Sequence, residues 1–225
     1  MLREYARRVV WLVGGLLVSA VGITMMLQAD VGLEPWSVLQ QGIAQTFGIT
    51  YGVSSILVGA AVILIAIACG ERVGLGTVAN IFLCGIFIDT LLALGWIPRM
   101  EALLPGVLML LGGLELLALG TWMYMKSALG SGPRDALMVA MARRTGRSVG
   151  LCRAVVELVI IVVGWRLGGR VGLGTVISAL GLGTLFNLNF ALLRFDAAAL
   201  HQEDLAETLR RLRGEARKQP EETVR

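Results

Sequence analysis

Two carboxylates, Glu115 and Glu157, fall in the middle of apolar runs long enough to cross a bilayer, which takes ~20 residues. A charge held at mid-bilayer costs at least ~2.5 kcal/mol on insertion scales, so such a group faces a partner or a cavity. Arg153 stands four residues before Glu157, the spacing that brings side chains together on one helix face. Arg134 is a second candidate cation. Two roles fit this chemistry equally: an ion pair that fixes helix packing, or a group that couples protons or substrate to movement.

Other chemistries lack their parts. His201 is the only histidine, and Cys69, Cys84 and Cys152 sit singly in apolar segments, where small hydrophobes are expected and a disulfide or metal site is not. There is no Ser/His/Asp set, and Gly74-Leu-Gly76 lacks the third glycine and the acid of a dinucleotide site. The expectation is a non-enzyme without cofactor or metal.

The elements that would position the acids follow from composition. The 225 residues are 56% hydrophobic and 16% charged, with mean hydropathy +0.76; a soluble domain carries about 25% charged residues. This composition is that of an integral membrane protein. The net charge is +4, and from Arg194 onward seven basic residues meet seven acidic ones. The positive excess therefore lies in the membrane part, where it reports topology and not nucleic-acid binding. The first apolar run continues to Leu27 without a cleavage pattern, so no cleavable leader is expected.

The chain is built on a repeat. Arg72-Val-Gly-Leu-Gly-Thr-Val78 recurs as Arg170-Val-Gly-Leu-Gly-Thr-Val176, and 170 − 72 = 98. At that offset the register holds from Leu12 to Leu94 without a gap, with about two dozen identities, ten of them glycine. Gly32 and Pro35 meet Gly130 and Pro133; Gly48 and Gly52 meet Gly146 and Gly150. Glycine marks close backbone approach or positive φ, and proline a helix start. The halves thus share a backbone more than a surface chemistry.

Taken in order, apolar spans are expected at Val9–Leu27, Val53–Cys69, Thr77–Trp96, Gly106–Met125, Leu151–Leu167 and Thr175–Leu193. Gln28, Asp30 and Glu34 mark the exit of the first. Between spans lie two shorter helices, Pro35–Phe47 with Gln40, and Pro133–Thr145 with Arg134 and Asp135. Each opens on proline and closes before glycine. Thirteen residues make a helix of roughly 20 Å, short and polar for a lipid-facing span. Beyond Arg194, Leu200, Leu205, Leu209 and Leu212 recur at helical spacing among charges, a solvated or membrane-skimming amphipathic tail.

With the N-terminus inside, eight full spans would leave Arg72, Lys126, Arg134, Arg166 and Arg170 outside, whereas six would leave Arg99, Arg166 and Arg170. The positive-inside rule favours six, with both termini cytoplasmic. Three spans per half then invert the second half relative to the first. The expected divisions are residues 1–96, a connection at 97–105, a second repeat at 106–193 and the tail at 194–225.

Gly32-Leu-Glu-Pro-Trp-Ser-Val-Leu39, its partner Gly130-Ser-Gly-Pro-Arg-Asp-Ala-Leu137 and the doubled Gly-Leu-Gly-Thr turns resemble the YczE/YyaS/YitT family of uncharacterised bacterial integral membrane proteins. The resemblance covers nearly all of residues 8–193. It implies a small multispanning bacterial architecture and supplies neither an activity nor catalytic residues. Such motifs usually carry Asp after Pro-Trp; Ser37 stands there, while Asp135 keeps the acid in the second half.

These readings converge on an all-α protein of the bacterial inner membrane: two tandem repeats, each of three transmembrane helices and one short re-entrant helix, inverted relative to each other. Inverted repeats with short helices point to a transporter site where half-helix N-termini meet. The expected function is transport of a small polar or anionic solute. The candidate site holds Pro35, Trp36, Gln40, Pro133, Arg134, Asp135, Glu115, Arg153 and Glu157, with the starts of the two short helices approaching each other in the interior. The expected partners are the bilayer and an unidentified small molecule or ion; a homo-oligomer is compatible with this scheme. The alternative is an accessory or regulatory membrane protein acting through protein partners. Cysteines introduced near Arg72 and Gly146 should react with impermeant maleimide from the cytoplasmic side only, and one near Arg99 from outside only; exchanged sides would favour eight spans.

Overall fold

The computed structural model describes residues 2–71, 73–130, 132–195, 200, 202–205 and 207–208. Arg72, His201, Leu209 and Leu212, which figure in the expectations above, lie outside them. Within them the fold is all-helical: α1 (Leu2–Ala29), α2 (Pro35–Phe47), α3 (Tyr51–Ala68), α4 (Leu75–Leu94), α5 (Leu103–Lys126), α6 (Pro133–Thr145), α7 (Val149–Arg166) and α8 (Leu173–Leu192). From α2 to α4, every start and end recurs 98 residues later in α6 to α8.

Local chemistry explains the bounds. Pro35 and Pro133 occupy the first turns of α2 and α6, where a missing N–H costs nothing. Gly48 and Gly146 end both helices in the left-handed conformation, φ 63° and 67°, which glycine adopts without strain. Thr50 and Ser148 cap α3 and α7 by accepting from Val53 N–H and Leu151 N–H. Five helices, α1, α3, α4, α5 and α8, are long and apolar enough to cross a membrane. The remaining expected span, α7, matches α3 at 18 residues but carries Arg153, Glu157 and Arg166.

Helices α1 and α5 form the spine and run antiparallel. Gly15 lies against Gly120 and Tyr124, Gly22 against Gly113 and Leu117, and Ala29 against Gly106. A methyl on Gly22 would sit 2.5 Å from the Gly113 carbonyl oxygen. Lipid tails are as apolar as leucine, so close backbone approach and not hydrophobicity drives such pairing. At one end Trp11 meets Trp122 edge-on at 5.6 Å, and the Lys126 ammonium sits 4.7 and 4.9 Å from the two ring centres.

The repeated Gly-Leu-Gly-Thr turns dock on the Gly-x-x-Pro loops of the opposite half. Gly76 N–H donates to Leu129 C=O at 2.6 Å, and its equivalent Gly174 N–H donates to Val31 C=O at 2.7 Å. Gly32 abuts Gly172, and Gly130 abuts Gly74, closely enough that a methyl on Gly32 or Gly130 would fall 2.7 Å from the facing backbone. Each half completes the other's loop, which is why these two motifs recur together.

Around this frame, Ile23, Met26, Ile88, Leu110 and Leu114 pack where α1, α4, α5 and α8 meet. A second cluster, Trp36, Val58, Val62, Leu137 and Met138, joins α2, α3 and α6. Cys84 and Cys152 are buried as free thiols and Cys69 is half-buried. The tail departs from expectation. Glu203 is 3% exposed, pairs with Arg8 and donates its N–H to Ala128 C=O at 3.0 Å, while Leu205 N–H reaches Val73 C=O at 2.9 Å. Its described part is therefore docked on the protein, because backbone donors and an ion pair find partners there that leucine spacing does not reveal.

The α1–α5 seam yields a direct test. Gly22→Leu should lose ~1–3 kcal/mol or more through overpacking, read as a drop in the monodisperse fraction and melting temperature in detergent. Gly14→Ala, whose added methyl would meet only Met123 at 3.6 Å, should leave both unchanged.

Candidate functional site

The site is assembled at the start of α2. Glu34 precedes Pro35 in an extended conformation, φ −63° and ψ 155°, and its carboxylate accepts from Trp36 N–H at 3.2 Å, Ser37 N–H at 3.0 Å and the Ser37 hydroxyl at 2.9 Å. The first-turn amides of a helix have no partner inside it and carry the positive end of its dipole, so an acid there is stabilised twice. The Tyr51 hydroxyl lies 2.8 Å from Ser37 Oγ and 2.7 Å from Gln40 Oε1, and the Ser54 hydroxyl donates to Gln40 C=O at 2.6 Å. All of these residues are buried. A buried polar network of this kind holds its shape only when its members are satisfied.

The second half supplies the counter-charge. Arg134, in the first turn of α6, places Nη1 3.1 Å from Glu34 Oε1 and its guanidinium carbon 5.1 Å from the centre of the Trp36 ring. By the 98-residue offset Arg134 is the counterpart of Trp36, and Gly132 of Glu34. Symmetry-related helix starts thus meet through residues of unlike type. One contact is ionic and the other a cation over an aromatic face.

These starts border a cavity of about 450 Å³ that draws residues from all eight helices. Trp36, Gln40, Pro133, Arg134, Arg153 and Glu157 line it, as do Glu34 and the asparagines Asn80 and Asn187. Arg153 Nε donates to Glu157 Oε1 at 2.8 Å, the helical pair expected from spacing. Pro35 borders an adjoining hollow of about 340 Å³ that shares Arg153, Glu157 and Asn187 with the cavity. Arg134 keeps 32% of its side chain exposed.

Of the expected site residues, Glu115 stands apart. Its Oε2 accepts from Asn189 Nδ2 at 3.2 Å, a hydrogen bond between α5 and α8, and it does not line the cavity. The side chain of Asp135 lies outside what is described. Arg134 pairs with neither Glu115 nor Glu157 but with Glu34. Glu34, Ser37, Tyr51 and Ser54 are absent from the expected site; the sequence reading has Glu34 as an exit marker and Ser37 in place of the usual Asp, yet Glu34 is 1% exposed. An acid directly before a helix-opening proline sits at the positive end of the helix dipole, and that placement could have flagged it. Among the described residues no three His, Cys, Asp or Glu side chains gather as metal ligands.

Comparison with known proteins places the chain among membrane proteins without an assigned role. The profile of the family of unknown function DUF6198 matches residues 6–189. An uncharacterized protein of Haemophilus influenzae is 35% identical over 168 residues, 75% of this chain and 76% of that protein. The uncharacterized membrane protein YczE of Bacillus subtilis is 29% identical over 209 residues, 88% of this chain and 96% of its own length. The uncharacterized protein YyaS of the same organism is 26% identical over 166 residues, 73% and 83% of the two chains. No solved structure matches.

Removing one member of a buried ion pair leaves the other without a counter-charge, at ~3–5 kcal/mol. Arg134→Ala, which strands the 1% exposed Glu34, should therefore lower thermal stability in detergent severely. Glu34→Gln combined with Arg134→Met should recover more than half of that loss, because neither charge is then stranded.

Proposed function

The chain belongs to the DUF6198 family, and from its site we propose that this multi-pass membrane protein is a transporter-like protein of the bacterial inner membrane, moving a small polar or anionic solute through the cavity between its halves. The observation that carries the reading is the meeting of the α2 and α6 starts, joined by Glu34 and Arg134, beside a largely apolar cavity that this pair and the Arg153–Glu157 pair both line. Backbone that leaves helical order at membrane depth survives only where protein or water surrounds it. The two loops that would lie there are enclosed by the opposite half.

In this reading α2 and α6 are re-entrant, six helices cross, both termini are cytoplasmic and the halves are inverted repeats. The antiparallel packing of α1 on its counterpart α5 supports the inversion. The cavity suits polarity more than net charge. Glu34 offsets Arg134, and Glu157 offsets Arg153, so a solute bearing its own opposite charges or strong hydrogen-bonding groups fits better than a bare anion. The protein works by binding and movement, not by bond chemistry.

The test is uptake into liposomes by the purified protein, measured with a panel of radiolabelled polar solutes, amino acids and carboxylates included. At least one solute should accumulate above protein-free vesicles. Glu157→Gln should fold normally, cut the rate about tenfold, a change of ~1.4 kcal/mol, and remove any dependence on external pH. A destabilised fold with uptake unaltered would assign Arg153–Glu157 to helix packing, and normal folding with unaltered uptake would support neither role.

A further inference from the structure

The packing of the halves differs at the seams between α3 and α4 and between α7 and α8. In the first half the seam is closed. Gly52, Ile81 and Gly85 are buried in it. A methyl on Gly85 would fall 2.7 Å from the Gly52 carbonyl oxygen, and one on Gly59 3.6 Å from Ile81 Cβ. Asp89 ties it shut, accepting from Gly52 N–H at 2.7 Å and from the Thr50 hydroxyl.

In the second half the same positions stand apart. Gly150, Ala154, Ala179, Gly183 and Asn187, counterparts of Gly52, Ile56, Ile81, Gly85 and Asp89, are all exposed. A methyl on Gly150 or Gly183 would meet nothing within 4 Å. The 340 Å³ hollow lies between α7 and α8 here and opens onto Arg153, Glu157 and Asn187 of the central cavity. Gly150 and Gly183 therefore have no employment in this arrangement. Neither has positive φ, neither is crowded, and a helical glycine costs ~1 kcal/mol against alanine.

We propose that the α7–α8 seam is the open gate of the cavity and the α3–α4 seam its closed twin, and that the two exchange: α7 closes on α8 through Gly150 and Gly183 as α3 leaves α4. As a gate this rests on the transporter reading. A polar solute entering by the open seam passes the Arg153–Glu157 pair and Asn187, so the path itself selects for hydrogen-bonding groups. One difference between the seams biases the resting preference. Asp89 sets a full negative charge at the N-terminus of α3, where the dipole is positive, whereas Asn187 offers α7 only a neutral carbonyl. Closure of α3–α4 is the stronger of the two.

Cysteine pairs in a full-length chain with Cys69, Cys84 and Cys152 replaced by serine or alanine test the exchange in native membranes. Gly59→Cys with Ile81→Cys reports closure of the first seam, and Ala154→Cys with Gly183→Cys closure of the second; neighbouring β-carbons must come within about 4.5 Å to be bridged. Under mild oxidation the first pair should bridge in most molecules and the second in a minority. Asp89→Asn should raise the second fraction about threefold, the size of effect a charge at a helix N-terminus exerts, and lower the first. In a chain carrying both pairs, no molecule should hold both bridges. Failure of the second pair to bridge in either background, both bridges in one molecule, or bridging of the second pair between two copies would overturn the gate. Exchange of bridges without uptake of any solute would keep the gate and remove transport; uptake with either seam bridged would do the reverse.

Discussion

A carboxylate inside an apolar bundle has to be surrounded by donors, and Glu34 obtains its donors from both halves of the chain. Two come from the backbone at the start of its own helix and one from the Ser37 hydroxyl; the cation comes from Arg134. Buried charge tolerates little displacement, since the same low dielectric that strengthens a satisfied pair penalises a broken one. The start of α2, the start of α6 and the loops before them are consequently fixed relative to one another. The cavity is the space left beside that fixed point.

The two-fold plan is carried by backbone, and the departures from it carry the chemistry. Glycines and prolines recur at the α1–α5 spine and at the cross-docked loops, where facing backbones come too near to admit a side chain. The polar groups do not recur. Trp36 faces Arg134, Glu34 corresponds to Gly132, and Ser55 and Gly59 stand where Arg153 and Glu157 stand in the second half. A symmetric frame with asymmetric lining lets two chemically different walls enclose one space.

Much of this was legible in the sequence, and the reasons are physical. The bounds of α2 and α6 follow from proline and glycine, residues whose backbone preferences act within a single turn. The Arg153–Glu157 pair follows from i,i+4 spacing for the same reason. What stayed hidden depends on partners far away in the chain. Glu34 looks like a surface acid until a residue 100 positions later turns toward it. Glu115 looks like a cavity acid until Asn189 meets it from α8. The docked tail likewise needs Val73, Ala128 and Arg8 around it, none of which leucine periodicity predicts.

The 100-residue separation of Glu34 and Arg134 also constrains how the protein is made. At ~5–20 residues per second of synthesis, Glu34 waits on the order of 5–20 seconds before the cation that neutralises it has left the ribosome. Until then the docking turn of the second half does not exist either, and α2 has neither its counter-charge nor the surface that shelters its loop. On the proposed re-entrant reading, settling α2 into the membrane follows insertion of the second half. Assembly on that reading runs out of chain order, with an early segment waiting for a late one.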